Sequence, residues 1–216
     1  MKILDQDISQ KCEMVYNQLQ KEIKSSITLQ KSKNKQNSVK KNPYGGYIIS
    51  IDTQLPQDYF EEMVLHEHIH ILQWQEGYRD ITSQTNHIVE YINDAIMDID
   101  VNRRLKEIYN YSVGTSRRNA LMGSLFSIIT AHIDKQIDNN TAKILCASLA
   151  ILSLCYNDEN EQRIFEILSE RNSNFSSYYT LFKNTLMNQN DYSAKSFRIM
   201  QNKIIEDLNL GFCTFQ

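Results

Sequence analysis

Two prolines and six glycines are all the chain breakers that 216 residues contain. With so few interruptions, and with apolar residues spaced mostly at helical intervals, long helices are expected to dominate. Cysteine is sparse too. Cys12, Cys146, Cys155 and Cys213 are scattered, with no CxxC pair. That excludes a cysteine-rich metal knuckle and points to free thiols in a reducing, cytoplasmic setting. The N-terminus, Met1 to Asp7, has no apolar signal core. The most apolar stretch, Ala142 to Tyr156, is too short to span a bilayer, so no membrane role is expected. Positive charge is not in excess. The net charge of −3 argues against general affinity for nucleic acid. No internal repeat is visible.

What the chain has is 41% apolar residues, enough for one domain with a sizeable core over 1–216. Ile3, Ile8, Cys12, Val15, Leu19 and Ile23 predict an amphipathic helix within 3–27. Gln30 to Lys41 holds five lysines and no acid, and reads as a solvated loop or a contact for an acidic partner. Asn42-Pro43-Tyr44-Gly45-Gly46 is a turn signal, and Tyr47 to Ile51 has strand composition. Helical patterns follow over Gln57–Glu76 and Ser83–Ile108. Beyond Asn110 the pattern is wholly helical, with one helix expected to run from a Ser116 cap to about Ile133, another from a Thr141 cap to Tyr156, and more over 159–170, 174–187 and 193–209. The fold class expected is α+β, predominantly α-helical. A small sheet with an edge strand would pack on the 57–76 helix. Residues 1–110 would form a metal-binding half and 111–216 a helical half.

The chemistry concentrates in His66-Glu67-His68-Ile69-His70, an HExxH pattern. A helix turns about 100° and rises about 1.5 Å per residue, so His66 and His70 stack on one face, one turn apart. Two imidazoles so placed can bind one ion, and Glu67 beside them can accept a proton from a water. His68 points about 200° away from His66 and reads as a packing or surface residue rather than a ligand. A catalytic metal wants a third protein ligand. The next helical pattern carries His87, Glu90, Asp94 and Asp98 on one stripe.

These residues resemble the zincin metallopeptidases. Glu90, with nineteen residues between it and His70, and Asp94 one turn later resemble the gluzincin branch, of which thermolysin is the familiar member. The resemblance implies a zinc ion held by His66, His70 and Glu90, with Asp94 orienting His66 and Glu67 as general base. Gly45 to Asp52, then Leu55-Pro56, is similar to the lead-in of the small SprT-like and ImmA-like zincins, in which an edge strand pairs with extended substrate. There are departures. Val89 stands where gluzincins often have Asn, and Glu76 and Gln73 do not fit the metzincin pattern. Asp98-Ile99-Asp100-Val101-Asn102 resembles the Asp-containing segment of other HExxH proteins. That keeps Asp98 open as third ligand, and His87 stays open as well.

The function implied is zinc-dependent hydrolysis of a peptide or protein substrate. Tyr47, Tyr78, His87 and His132 are candidate oxyanion donors. Two alternatives are an inactive zincin-fold binding module and an ImmA- or SprT-like regulatory protease acting on a DNA-bound protein. The second draws only on the basic 31–41 segment.

Overall fold

The structure is a computed structural model that describes residues 1–83, 86–112, 114–131, 135–189, 191, 193–211 and 214–215; His132 and Cys213 lie outside the described residues. The fold is α+β and predominantly helical. Two compact units divide the chain: 1–77 with 101–117, and 78–100 with 118–216. This differs from halves meeting at residue 110. The helix α3 (Ile88–Glu107) explains the difference. Its Val89, Ile92, Ala95 and Ile96 are buried in the second unit's core, whereas Val101 and Leu105 are buried in the first's.

The first unit opens with β1 (Lys2–Ile3) and β2 (Gln6–Asp7), an antiparallel pair joined through Leu4 and Asp5, both at positive φ. Helix α1 (Gln10–Glu22) starts only at Ser9, whose Oγ accepts from Cys12 N at 3.2 Å. The helix expected over 3–27 is therefore a hairpin, a helix and the start of a strand. Ile3 and Ile8 fit the helical period, but the hairpin buries both of them as well. Cys12, Val15 and Leu19 form the buried face of α1, and burial pushes the Cys12 thiol up to about 12, out of reach of redox chemistry.

Strands β3 (Ile27–Lys31), β4 (Ser38–Lys41) and β5 (Tyr47–Ile51) form a sheet in the order β3-β5-β4. β3 runs parallel and β4 antiparallel to β5. Two expectations are corrected here. The lysine-rich 30–41 segment is not all loop, because its first two residues end β3 and its last four form β4, and both strands pair with β5. And β5 is central, so the free edge beside it belongs to β4. A lone apolar residue, Val39, among lysines is what an edge strand protected against aggregation looks like.

Gly46 (φ 78°) lets the chain turn into β5; a Cβ there would stand 2.2 Å from Ser26 Oγ and 2.3 Å from Ser26 O. Gly46→Ala is expected to cost about 2–3 kcal/mol, read as a lowered urea midpoint. An unchanged midpoint would mean that the β3–β5 junction shifts freely.

Helix α2 (Gln57–Gln75) follows, buried from Phe60 to Ile69. Glu61, buried within it, accepts from Ser9 N (2.7 Å), Ser9 Oγ (2.6 Å), Gln57 Nε2 (3.1 Å) and the Tyr111 hydroxyl (3.1 Å). Four donors from three stretches of chain make a buried carboxylate tolerable.

The second unit pairs β6 (Ile81–Thr82) with β7 (Thr214–Phe215) and packs helices around α5 (Asn139–Tyr156). Leu145, Cys146, Leu149 and Leu152 of α5 are fully buried. Asp138, rather than Thr141, caps this helix, its Oδ1 accepting from Asn140 N and Thr141 N. The remaining helices are α4 (Thr115–Ala131), α6 (Glu161–Arg171), α7 (Phe175–Met187) and α8 (Ala194–Asp207), within a few residues of expectation. Asp58 accepts from Ser116 N at 3.1 Å at the start of α4, so Ser116 is capped rather than capping. No helix among the described residues is long and apolar enough to cross a membrane.

Candidate metal centre

Helix α2 buries six polar or charged residues along its length: Glu61, Glu62, His66, Glu67, His68 and Gln73. Each needs a reason to be inside. His68, fully buried, has one that involves no ion. Its Nδ1–H donates to Val64 O at 2.6 Å, its Nε2 accepts from Gln20 Nε2 at 2.8 Å, and Tyr16 packs edge-on at 5.1 Å. Desolvation then holds its pKa down at about 4.

That shift carries a prediction. The unfolded chain takes up this proton near pH 6.5, while the folded chain refuses it until about 4. The stability contributed by neutral His68 is therefore complete above pH 6.5 and is lost as the pH falls toward 4, about 3 kcal/mol in total. Urea unfolding of wild type and His68→Phe at pH 7.5 and 4.5 checks it. The variant should lose less over that interval, and equal losses would remove His68 as the cause.

His66 and His70 behave differently. Their Nε2 atoms converge to 2.9 Å, with ring centroids 4.6 Å apart and planes at 79°. The outer nitrogens fix the protons. An arginine can only donate and an amide oxygen can only accept. Arg117 Nη1 lies 3.0 Å from His66 Nδ1, so that nitrogen accepts. Gln73 Oε1 lies 2.8 Å from His70 Nδ1, so that nitrogen donates. Neutral His66 thus carries its proton on Nε2 and gives it to the lone pair of His70 Nε2. Hydrogen bonds run one way, from Arg117 to His66 to His70 to Gln73. Arg117 Nη1 also donates to Glu62 Oε1 at 3.1 Å, and Gly114 N donates to Glu62 Oε2 at 2.8 Å. Arg117 and Glu62 have side chains only 7% and 0% exposed.

Ligand atoms of His66, His70 and Asp98 all lie within 4.8 Å of one another. Asp98, half-buried, stands less than one turn before Val101, where α3 joins the first unit's core. Glu90 is not in this group. It sits two turns earlier on α3, about 12 Å along the axis, with its side chain 48% exposed and 3.8 Å from the still more exposed His87. Of the candidates on that stripe, Asp98 stands with the two histidines, while Glu90 lies with His87. Asp94 is exposed on α3, and the group that meets His66 Nδ1 is Arg117. Glu67 is buried at 5% exposure on α2, directly after His66.

Two imidazoles and a carboxylate are a donor set suited to zinc and to other divalent first-row ions. His70 already has the tautomer such a role needs, since Gln73 holds the proton on Nδ1 and keeps a lone pair on Nε2, the pair that accepts from His66 here. His66 would have to shed its Nε2 proton. Of the oxyanion candidates, Tyr47 stacks on Trp74 (5.8 Å, 22°) and Tyr78 packs against Phe197 in the second unit's core. Sequence reasoning missed Gln73 and Arg117. The i+3 spacing from His70 could have suggested Gln73. No local signal marks Arg117. No family model, no curated protein and no solved structure matches this chain.

Proposed function

We propose that this protein is a zincin-like, metal-dependent peptidase of a reducing, cytoplasmic compartment. The observation that carries the reading is the convergence of His66, His70 and Asp98 ligand atoms, with the buried Glu67 directly after His66 on α2. In it, His66, His70 and Asp98 would hold a zinc ion, which when bound would supply Lewis acidity and acidify a water. Glu67 accepts that water's proton and passes it to the leaving amine. Gln73 keeps His70 in its binding tautomer, whereas Arg117, paired with Glu62, donates to His66 Nδ1 and opposes that tautomer at His66. Free Cys12, Cys146 and Cys155 fit the compartment.

Metal analysis of the purified chain tests the reading. About one zinc per chain is expected, lost in His70→Ala, together with cleavage of members of a broad peptide library. Equal metal retention by wild type and His70→Ala would overturn it.

The one-way chain from Arg117 to Gln73 favours a second reading, a zincin-like interaction module in which the two histidines serve as a core hydrogen-bond network. Absence of metal binding with intact folding would support that alternative.

A further inference from the structure

We propose that the free edge of β4, with the lysines around it, docks an extended peptide segment rich in Asp and Glu, and that such segments are the substrate class of the centre. The inference rests on the peptidase reading above and extends it to specificity.

The backbone supplies the first part. Asn42 N donates to Gly46 O at 2.9 Å, so Asn42 and Gly46 form a hydrogen-bonded pair of the antiparallel ladder. Pairs alternate along such a ladder. With the register Lys41↔Tyr47, Lys40↔Ile48, Val39↔Ile49 and Ser38↔Ser50, it is Lys40 and Ser38 that turn their amides toward β5. Val39 and Lys41 therefore direct N–H and C=O outward, where the sheet ends. An incoming strand can complete that row, which is how peptides add to sheet edges.

Charge supplies the second part. Residues 31–41 hold five lysines and no acid in a chain of net charge −3. Lys31 is paired with Asp5 at 2.9 Å. Lys33, Lys35, Lys40 and Lys41 are exposed and have no carboxylate partner among the described residues. Lys40 and Lys41 fall on opposite faces of the strand, because side chains alternate. A segment paired on this edge would meet an ammonium group above and below its own plane. Nucleic acid fits less well, since it has no amides to complete the ladder.

Position supplies the third part. β4 packs along α2, and Lys41 is opposite Tyr47, which stacks on Trp74 one turn beyond His70. The strip thus runs beside the helix that carries the histidines.

The test uses fluorescent 12-residue peptides of matched length, acidic, neutral and basic, with the full-length Glu67→Gln protein, read by anisotropy at rising NaCl. The acidic peptide is expected to bind at least tenfold tighter than the neutral one at low salt. That advantage should shrink with salt and vanish in the Lys33→Gln/Lys35→Gln/Lys40→Gln/Lys41→Gln variant. Val39→Pro, which removes an outward donor and no ladder bond, should weaken acidic-peptide binding with every lysine present. Equal binding of all three peptides would overturn the proposal and leave the lysines as protection of an edge. Equal binding of a single-stranded oligonucleotide of the same charge would overturn it in favour of a general anion strip. Wild-type cleavage separates the two readings. Charge-selective binding with no hydrolysis sinks the peptidase but keeps the dock, whereas hydrolysis indifferent to charge does the reverse.

Discussion

Glu67→Gln is expected to leave the metal in place and to lower kcat for peptide hydrolysis by about 10³-fold, within the range for a positioned general base. The amide copies the shape of the carboxylate, and Glu67 is 5% exposed, so packing on α2 is kept. What changes is basicity, since an amide oxygen does not take up a proton near neutral pH. Glu67 is separate from His66, His70 and Asp98, whose ligand atoms form the group, so metal content should not follow activity. The measurement is zinc stoichiometry and steady-state kinetics on the same preparation. Hydrolysis within tenfold of wild type would remove Glu67 from the chemistry. Simultaneous loss of zinc would make it a structural support instead.

Arg117→Met is expected to destabilise the first unit by about 3–5 kcal/mol, because it takes the guanidinium from a fully buried carboxylate, Glu62. Glu62→Gln/Arg117→Met should regain most of that loss, since the double variant no longer buries a charge without its partner. A second readout follows from proton placement. Arg117 makes His66 Nδ1 an acceptor and so keeps a proton on the nitrogen that faces His70. Without Arg117 that proton can sit on Nδ1, and zinc affinity of the double variant should rise by about tenfold, roughly the 1.5 kcal/mol of a hydrogen bond from a charged donor. A fall in affinity, measured by chelator competition, would mean that Arg117 serves the metal by holding His66 in place. Additive losses in the two single variants would show that the pair is not coupled.

How much of this was legible depended on whether a signal was local. The α2 helix is readable because nothing interrupts Gln57 to Glu76 and the histidine spacing is a property of one helix. His68 was readable as standing apart from the His66–His70 face for the same reason, but whether it packs or faces solvent is decided by Gln20 and Tyr16, which lie far off in sequence. Which acidic residue joins the two histidines was not readable. Glu90, Asp94 and Asp98 share one stripe, and spacing alone does not say which turn of α3 lies against α2. The choice is made by tertiary packing, where Val101 and Leu105 anchor the later turns in the first core. β4 was hidden because four residues with a single apolar member give no period. Arg117 was hidden because its partners, Glu62 and His66, are more than fifty residues away.

The first unit is assembled from two stretches of chain, 1–77 and 101–117, with Glu61 taking a hydrogen bond from Tyr111 and Glu62 an ion pair from Arg117. On the ribosome, residues 78–100 must emerge before the second stretch does. At about 5–20 residues per second, the HExxH helix waits several seconds for the arginine that neutralises Glu62. For that interval the nascent chain holds Glu62 without its ion-pair partner and Glu61 one donor short, and chaperone binding during synthesis should peak there and decline once Arg117 has cleared the exit tunnel.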